Sequence, residues 1–423
     1  MISRFLLVLL STGLESHAWA AAAPLFDGPP PSIYAVNREG LRPKPSITAP
    51  GHCAWPNLKL LKDGRTLAAV IFNNASHGSR PGDVECWLSA DGGATWKFGS
   101  AVTQHEPDTI RMNHAAGLAA NGDLIVLTAG WTDRYPPGIT RARGRFRYDV
   151  LGPWLSRSPD GGLSWWIDQR GFPERGPTGQ PNTPFGDVQI AQNGDLGVIA
   201  YTTESRLDKY EDRKFSAYFY RSGDDGRTWG NPVRVAEANE TTALHVGNGR
   251  WLAVARTGTG VEKKDALILC GSTDDGRTWQ FKRALTGYQR VNGHLAKLKD
   301  GRVLFTYGDR MSAFASHGND PGASARAKAM TRLSPTASRG IEAAISSDGG
   351  ETWSEAIRLL DWNGLDGGYP STVQRADGQL VTAYYASALP EDPWDSAKNY
   401  HMGVVVWDSE KSFVKTPSRI RSP

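Results

Sequence analysis

A tyrosine and a glutamate stand at matching places in this chain. Tyr369 lies eight residues before Asp377-Gly378, and Glu240 lies eight residues before Asn248-Gly249. Both dipeptides sit between apolar runs and read as tight hairpin turns. Equal offsets place both side chains at the start of a strand, facing one central pocket. There a carboxylate could take the proton of a phenol, which alone is a poor nucleophile because its pKa is about 10. Arg256 ends the hairpin that Glu240 opens, sixteen residues further on. Other polar residues open strands at similar offsets: Asn113 and His114 in MNHAAGL, Asp187 in FGDVQI, Asn292 and His294 in VNGHLAKL. His77, in ASHGSRPGD, can exchange a proton near neutral pH. Each of these residues also has a bland reading, as a polar group satisfied within the fold or a charge in solvent.

The elements that would position them repeat. Six Asx-Gly turns occur, at Asp63-Gly64, Asn121-Gly122, Asn193-Gly194, Asn248-Gly249, Asp300-Gly301 and Asp377-Gly378. Each of the first five is followed by one copy of Ser-x-Asp-[Gly/Asp]-Gly-x-[Thr/Ser]-Trp, running Ser89–Trp96, Ser158–Trp165, Ser222–Trp229, Ser272–Trp279 and Ser346–Trp353. In each copy Asp accepts hydrogen bonds from the turn's own backbone, Gly takes the positive φ, and Trp anchors the next strand in an apolar layer. The sixth turn is followed only by a plain strand, His401–Trp407. Six units of strand, turn, strand, loop, strand, box, strand predict an all-β fold, a six-bladed β-propeller of four-stranded antiparallel blades. The sixth unit lacks a box and would end as an open edge, so a segment near Ile33–Ile47 is expected to complete it. Strand alternation puts both turn types on one face. The long polar loops, Asn73–Gly82, Trp131–Tyr148, Glu204–Lys214 and Arg310–Arg339, then gather on the other, where a binding site is expected. One of them carries Arg134, Arg141, Arg143, Arg145 and Arg147, a positive field suited to an anionic ligand or simply a solvated basic loop.

Five such boxes in a propeller resemble the sialidase (neuraminidase) superfamily, over essentially all of the chain after its first twenty residues. The resemblance implies an exo-α-sialidase type of glycoside hydrolase acting on an acidic glycan. Tyr369 would be the nucleophile, Glu240 the group that activates it, and Arg256 the second of three arginines that hold the sugar carboxylate. Arg339 matches the third, with Arg310 as a rival. Two positions depart. Ala54-Trp55-Pro56 stands where the family has Arg-Ile-Pro, and His77 stands where the family has its acid/base aspartate, with Arg80 and Asp83 close by. His77 is therefore the third catalytic candidate, and Arg80 a replacement substrate cation beside Asn113, His114, Asp187 and His294. A second reading, a uronate-recognising polysaccharide lyase, would use the same pocket, with histidines and Tyr369 moving protons and Arg256 and Arg339 neutralising the uronate. A third is a non-catalytic glycan-binding propeller, since such boxes also occur in non-enzymes.

Composition narrows the rest. Residues 1–20 read as a cleavable export signal, with Arg4, the apolar run Phe5–Leu10 and Ala18-Trp19-Ala20, leaving residues 21–423 as a single domain that is secreted or periplasmic. No later segment is apolar for long enough to span a membrane. A formal charge of +4 without a basic stripe argues against nucleic acid. Nothing in the chain calls for a cofactor or a metal. Three cysteines, Cys53, Cys86 and Cys270, make no disulfide framework. Cys53 and Cys86 fall in one repeat and could pair, although burial as small apolar residues is the simpler expectation.

Overall fold

The structure, a computed structural model, describes residues 23–27, 31, 35, 45–48, 52–74, 81–135, 149–203, 214–258, 265–310, 339–362, 367–386 and 400–413. The expected signal at residues 1–20 lies outside them. The described chain is all β apart from one short helix, α1 (Ser409–Ser412), capped by the Asp408 carboxylate.

The strands fall into consecutive antiparallel groups. β2–β5 are His52–Leu60, Leu67–Asn74, Asp83–Ser89 and Lys97–Ala101; β6–β9 are Thr109–Leu118, Leu124–Thr132, Asp149–Ser158 and Trp166–Asp168. β10–β13 are Asn182–Ile190, Leu196–Thr203, Phe215–Ser222 and Gly230–Ala236; β14–β17 are Thr241–Gly247, Arg250–Thr257, Ala266–Ser272 and Gln280–Ala284. β18–β21 are Arg290–Lys297, Val303–Asp309, Arg339–Ser346 and Ile357–Trp362; β22–β24 are Gly367–Gln374, Leu380–Ala386 and His401–Trp407. The last group takes its fourth strand from the other end of the chain. β1 (Pro45–Thr48) pairs antiparallel with β24, setting Thr48 opposite His401 and Pro45 opposite Gly403. This is the strand addition expected from the missing sixth box, and it covers an otherwise open edge. Upstream, Phe26 bridges to Thr286 and the Ala35 amide donates to the Arg358 carbonyl, so the same segment touches two earlier groups.

The first strand of each group packs on the first strand of the next: β2 on β6, β6 on β10, β10 on β14, β14 on β18, β18 on β22, and β22 back on β2. Between β6 and β10 the approach is close enough for a short parallel pairing, Gly186 with Ala115 and Asp187 with Ala116. Gly117 makes it possible, because a Cβ there would come within 2.2 Å of the Val188 carbonyl oxygen. The apolar core is correspondingly divided. Leu67 and Ile71 pack on Val381 and Ala383, Leu127 on Val198, Phe219 beside Trp251, Leu252 on Phe305, and Leu304 on Tyr384, so a separate hydrophobic layer fills each gap between groups. Cys86 is a free, buried thiol in the layer between the first two groups, which rules out its pairing with Cys53; Cys270 is also free and buried.

Turn chemistry sets one face. All six Asx-Gly glycines have positive φ, 66–93°. In the first box Asp91 accepts from the Thr95 amide (2.9 Å) and hydroxyl (2.6 Å), while the Gly93 amide donates to Ser89 Oγ at 2.8 Å. The other four copies repeat these bonds around Asp160, Asp224, Asp274 and Asp348. Boxes and Asx-Gly turns meet: Arg157 donates to Asp123, Asn121 and Asp225 together, and the Asp275 amide donates to the Gly249 carbonyl.

Candidate functional site

The ends of the first strands away from those turns are irregular in a repeated way. Pairing slips between Ala54 and Asn57 in β2, Arg111 and Asn113 in β6, Phe185 and Gln189 in β10, Val291 and His294 in β18, and Gly368 and Ser371 in β22. The backbone turns to positive φ at Trp55 (52°), Gly186 (77°), Asn292 (61°) and Tyr369 (51°). Three of these are not glycine, and such conformations cost free energy and gather at functional sites. A bulge re-aims its side chain, and here bulges aim several side chains at one place.

Tyr369 is the centre. Its ring is buried among Trp55, Phe185 and Tyr385, with centroids 5.7–6.2 Å away. Its hydroxyl donates to Glu240 Oε1 at 2.7 Å. Arg256 Nη1 donates to Glu240 Oε2 at 2.5 Å and lies 3.4 Å from the phenol oxygen. Asn292 Nδ2 reaches the same carboxylate oxygen at 3.3 Å, and Arg256 Nη2 is held by Asp265 at 3.0 Å. Burial first, then the Glu240 carboxylate, push the Tyr369 phenol well above its usual 10, with Arg256 and Arg310 pulling the other way. The phenol is therefore a proton donor at rest, and its proton already points at the group that would accept it.

Around the axis beneath Tyr369 a small pocket is lined by residues of all six first strands, among them Asn57, His114, Asp187, Thr242, His294 and Ser371. Asp187 is buried and ion-paired with Lys59 at 2.6 Å, with His294 Nε2 at 3.3 Å. Burial alone would raise the Asp187 carboxyl, but Lys59 and His294 hold it below the usual range. Burial lowers Lys59 more than Asp187 raises it. His114 has Nδ1 3.1 Å from the Met112 carbonyl and Nε2 3.2 Å from the Val70 carbonyl, and burial lowers its pKa.

The sequence candidates thus sort by place. Tyr369, Glu240 and Arg256 come together. His114, Asp187 and His294 line the axis below them, engaged with backbone or with one another. Asn113 accepts from Trp131 Nε1 at 2.9 Å. Asp83, six residues after His77, accepts from the Thr103 hydroxyl and lies 2.6 Å from His105 Nδ1. Arg134 is exposed and donates to the Pro107 carbonyl at 2.8 Å. Arg339 is buried at the start of β20, opposite Trp362. Its rival Arg310 exerts its charge on Tyr369 and donates to the Gly367 carbonyl at 3.3 Å. His77, Arg80 and the arginines from 141 to 147 lie outside the described residues. Asp265 and Lys59 were not singled out in the sequence. Lys59 had a signal, since it falls in phase with Trp55 and Asn57 on one face of a strand. Asp265 had none.

The family pattern of the BNR repeat-like domain matches residues 64–382, and the chain belongs to that family. Among solved structures, the chain is similar to a protein of unknown function from Dyadobacter fermentans, with 22% identity and a TM-score of 0.64 over 86% of this chain and 98% of that one. It is also similar to the NanB sialidase from Streptococcus pneumoniae, with 12% identity and a TM-score of 0.56 over 88% of this chain and 70% of that one. The intramolecular trans-sialidase from Ruminococcus gnavus gives 14% identity and a TM-score of 0.55 over 89% and 99%. At these identities the likeness is one of fold. Among curated proteins none matches. No helix among the described residues is long and apolar enough to cross a membrane.

Proposed function

We propose that this protein is an exported glycoside hydrolase of the exo-α-sialidase type, a single six-bladed propeller over residues 21–423 that acts on an acidic glycan. The observation that carries the reading is the 2.7 Å hydrogen bond from the Tyr369 phenol to Glu240. As the phenol oxygen bonds to the anomeric carbon, that carbon's bond to the leaving oxygen breaks, the phenol proton passes to Glu240, the acid supplies a proton to the leaving oxygen, and Arg256 steadies the charge between Tyr369 and Glu240. A neutral phenol repels an anionic sugar less than a carboxylate nucleophile would, which is why sialidases depart from the two-carboxylate rule. Water then releases the sugar from tyrosine with net retention. Arg256 and Arg339 are the cations assigned to the sugar carboxylate, with Arg310 the rival of Arg339. His77 is assigned as the acid for the leaving oxygen, with Asp83 next. Arg80, Asn113, His114, Asp187 and His294 complete the assigned substrate side.

A lyase on the same pocket needs an available base. Among the described histidines, His114 is buried between two backbone carbonyls, and His294 has Nε2 against Asp187 and Nδ1 accepting from the Thr372 amide, which favours the hydrolase over a lyase that would use either as its base. The test is turnover of an aryl α-sialoside followed by NMR. Release of the α-anomer first, lost in Tyr369→Phe, supports the reading. Release of an unsaturated product, or full turnover by Tyr369→Phe, rejects it.

A further inference from the structure

Arg256 has a second acidic partner that no step of the proposed reaction uses. Asp265 sits just before β16 and is 8% exposed. Its Oδ2 accepts from Arg256 Nη2 at 3.0 Å, while Nη1 of the same guanidinium spans Glu240 Oε2 and the Tyr369 oxygen. Among the described residues, Asp265 Oδ1 is buried without a hydrogen-bond partner. Its backbone is fixed as well, since its carbonyl accepts from the Gln289 amide at 2.7 Å, one residue before β18, the strand that carries Asn292. A carboxylate this buried, with one oxygen unpaired, is costly unless its charge is needed there.

We infer that Asp265 is a positioning residue for the Tyr369–Glu240 pair, acting through Arg256. The planar guanidinium has two ends, and Asp265 fixes one of them. The other end is then held where one nitrogen touches both the proton acceptor and the phenol oxygen. Asp265 also divides the arginine's charge between two carboxylates. Without it, the whole charge falls on Glu240, the arginine is drawn onto that carboxylate, and Glu240 becomes a weaker proton acceptor. Buried groups of this kind act as a unit, so loss of a supporting member is felt in the step it supports.

The inference rests on the hydrolase reading for its kinetic consequence but not for its geometry. The experiment takes Asp265→Ala and Asp265→Glu in the full chain, with crystal structures of both and kinetics on an aryl α-sialoside. In Asp265→Ala, Arg256 is expected to leave the Tyr369 oxygen and kcat to fall by roughly ten- to a hundred-fold. The low-pH edge of the kcat profile should move to lower pH, and Asp265→Glu should recover most of the rate. A merely structural carboxylate would lower the melting temperature without moving that edge. Arg256 unmoved in the Asp265→Ala crystal, or an unchanged kcat profile, would overturn the assignment. If the native protein does not turn over the sialoside while Arg256 is displaced in the variant, the hydrolase reading fails and the positioning role stands.

Discussion

Among the described residues, two buried tyrosines are set against a glutamate and arginines, and they differ in where the fold puts them. Tyr307, on β19, is fully buried beside Glu342, itself 1% exposed. Arg358 Nη1 donates to Glu342 at 2.8 Å and to Asp309 at 3.0 Å, its Nε donates to Asp361 at 2.7 Å, and Arg290 anchors the Phe26 carbonyl. Tyr369 likewise has a glutamate and arginines beside it, and burial with a neighbouring glutamate pushes both phenols well above 10. Tyr307, however, sits inside a regular second strand, in the layer between two sheets. Tyr369 sits at a bulge on a first strand, where its ring lines the axial pocket. Composition of a cluster does not make a site. Access and backbone geometry do, and the sealed cluster holds sheets together while the open one is free to meet a ligand.

The largest expected effect separates the two phenols. Tyr369→Phe should lower kcat by about 10²–10⁴-fold, the usual scale for removing a proton-transfer partner, while ligand affinity by calorimetry changes little. Tyr307→Phe should leave kcat within about twofold; equal losses in the two variants would break the comparison. Next in size is stability. Arg358→Leu takes from buried Asp309 and Glu342 the shorter of their arginine contacts, leaving the more distant Arg290, and should cost about 3–5 kcal/mol in urea denaturation. Tyr369→Phe should cost no more than about 1.5 kcal/mol, the usual net worth of one hydrogen bond.

The third expectation is a pH dependence with opposite signs in two regions. Burial and Asp309 push Glu342 up to about 7, against the pull of Arg358 and Arg290. A carboxyl raised on folding favours the folded state below its unfolded value, and that contribution is lost as pH climbs through the raised one. Native stability relative to Glu342→Gln should therefore decline from about pH 4.5 to about pH 7. The box carboxylates run the other way. Hydrogen bonds from their own Thr or Ser hydroxyls and amides hold Asp91, Asp160 and Asp274 at about 2. Their contribution is present above the ordinary 3.8 and should fade as pH drops toward 2, measured as an acid-side loss of melting temperature. Smallest of all, Arg134→Ala removes an exposed cation and should change stability by about 0–1 kcal/mol and turnover by less than about twofold. Arg256→Ala, at the site, should cost far more turnover on an acidic glycan.

Much of this was legible beforehand because it is local. An Asx-Gly turn or a box makes its hydrogen bonds within a few residues, so each copy states its own geometry. The absent sixth box even announced that another segment must finish the last sheet, and β1 does so. The equal offsets of Tyr369 and Glu240 carried over because each strand is counted from its own turn. Asp265 and Lys59 were not legible in that way, for their meaning depends on a partner in another sheet or across a hairpin.

Sequence by itself determined the turns, the all-β character and which residues start each first strand, since those rest on contacts between neighbours in the chain. Tertiary structure alone decided which of the strand-opening polar groups meet. It set Tyr369 2.7 Å from Glu240, tied His294 to Asp187, and placed His114 between two carbonyls. Those outcomes depend on how far each bulge rotates its side chain and how closely six first strands approach one another. No spacing along the chain encodes either quantity, because both are settled only when every neighbouring strand is in place.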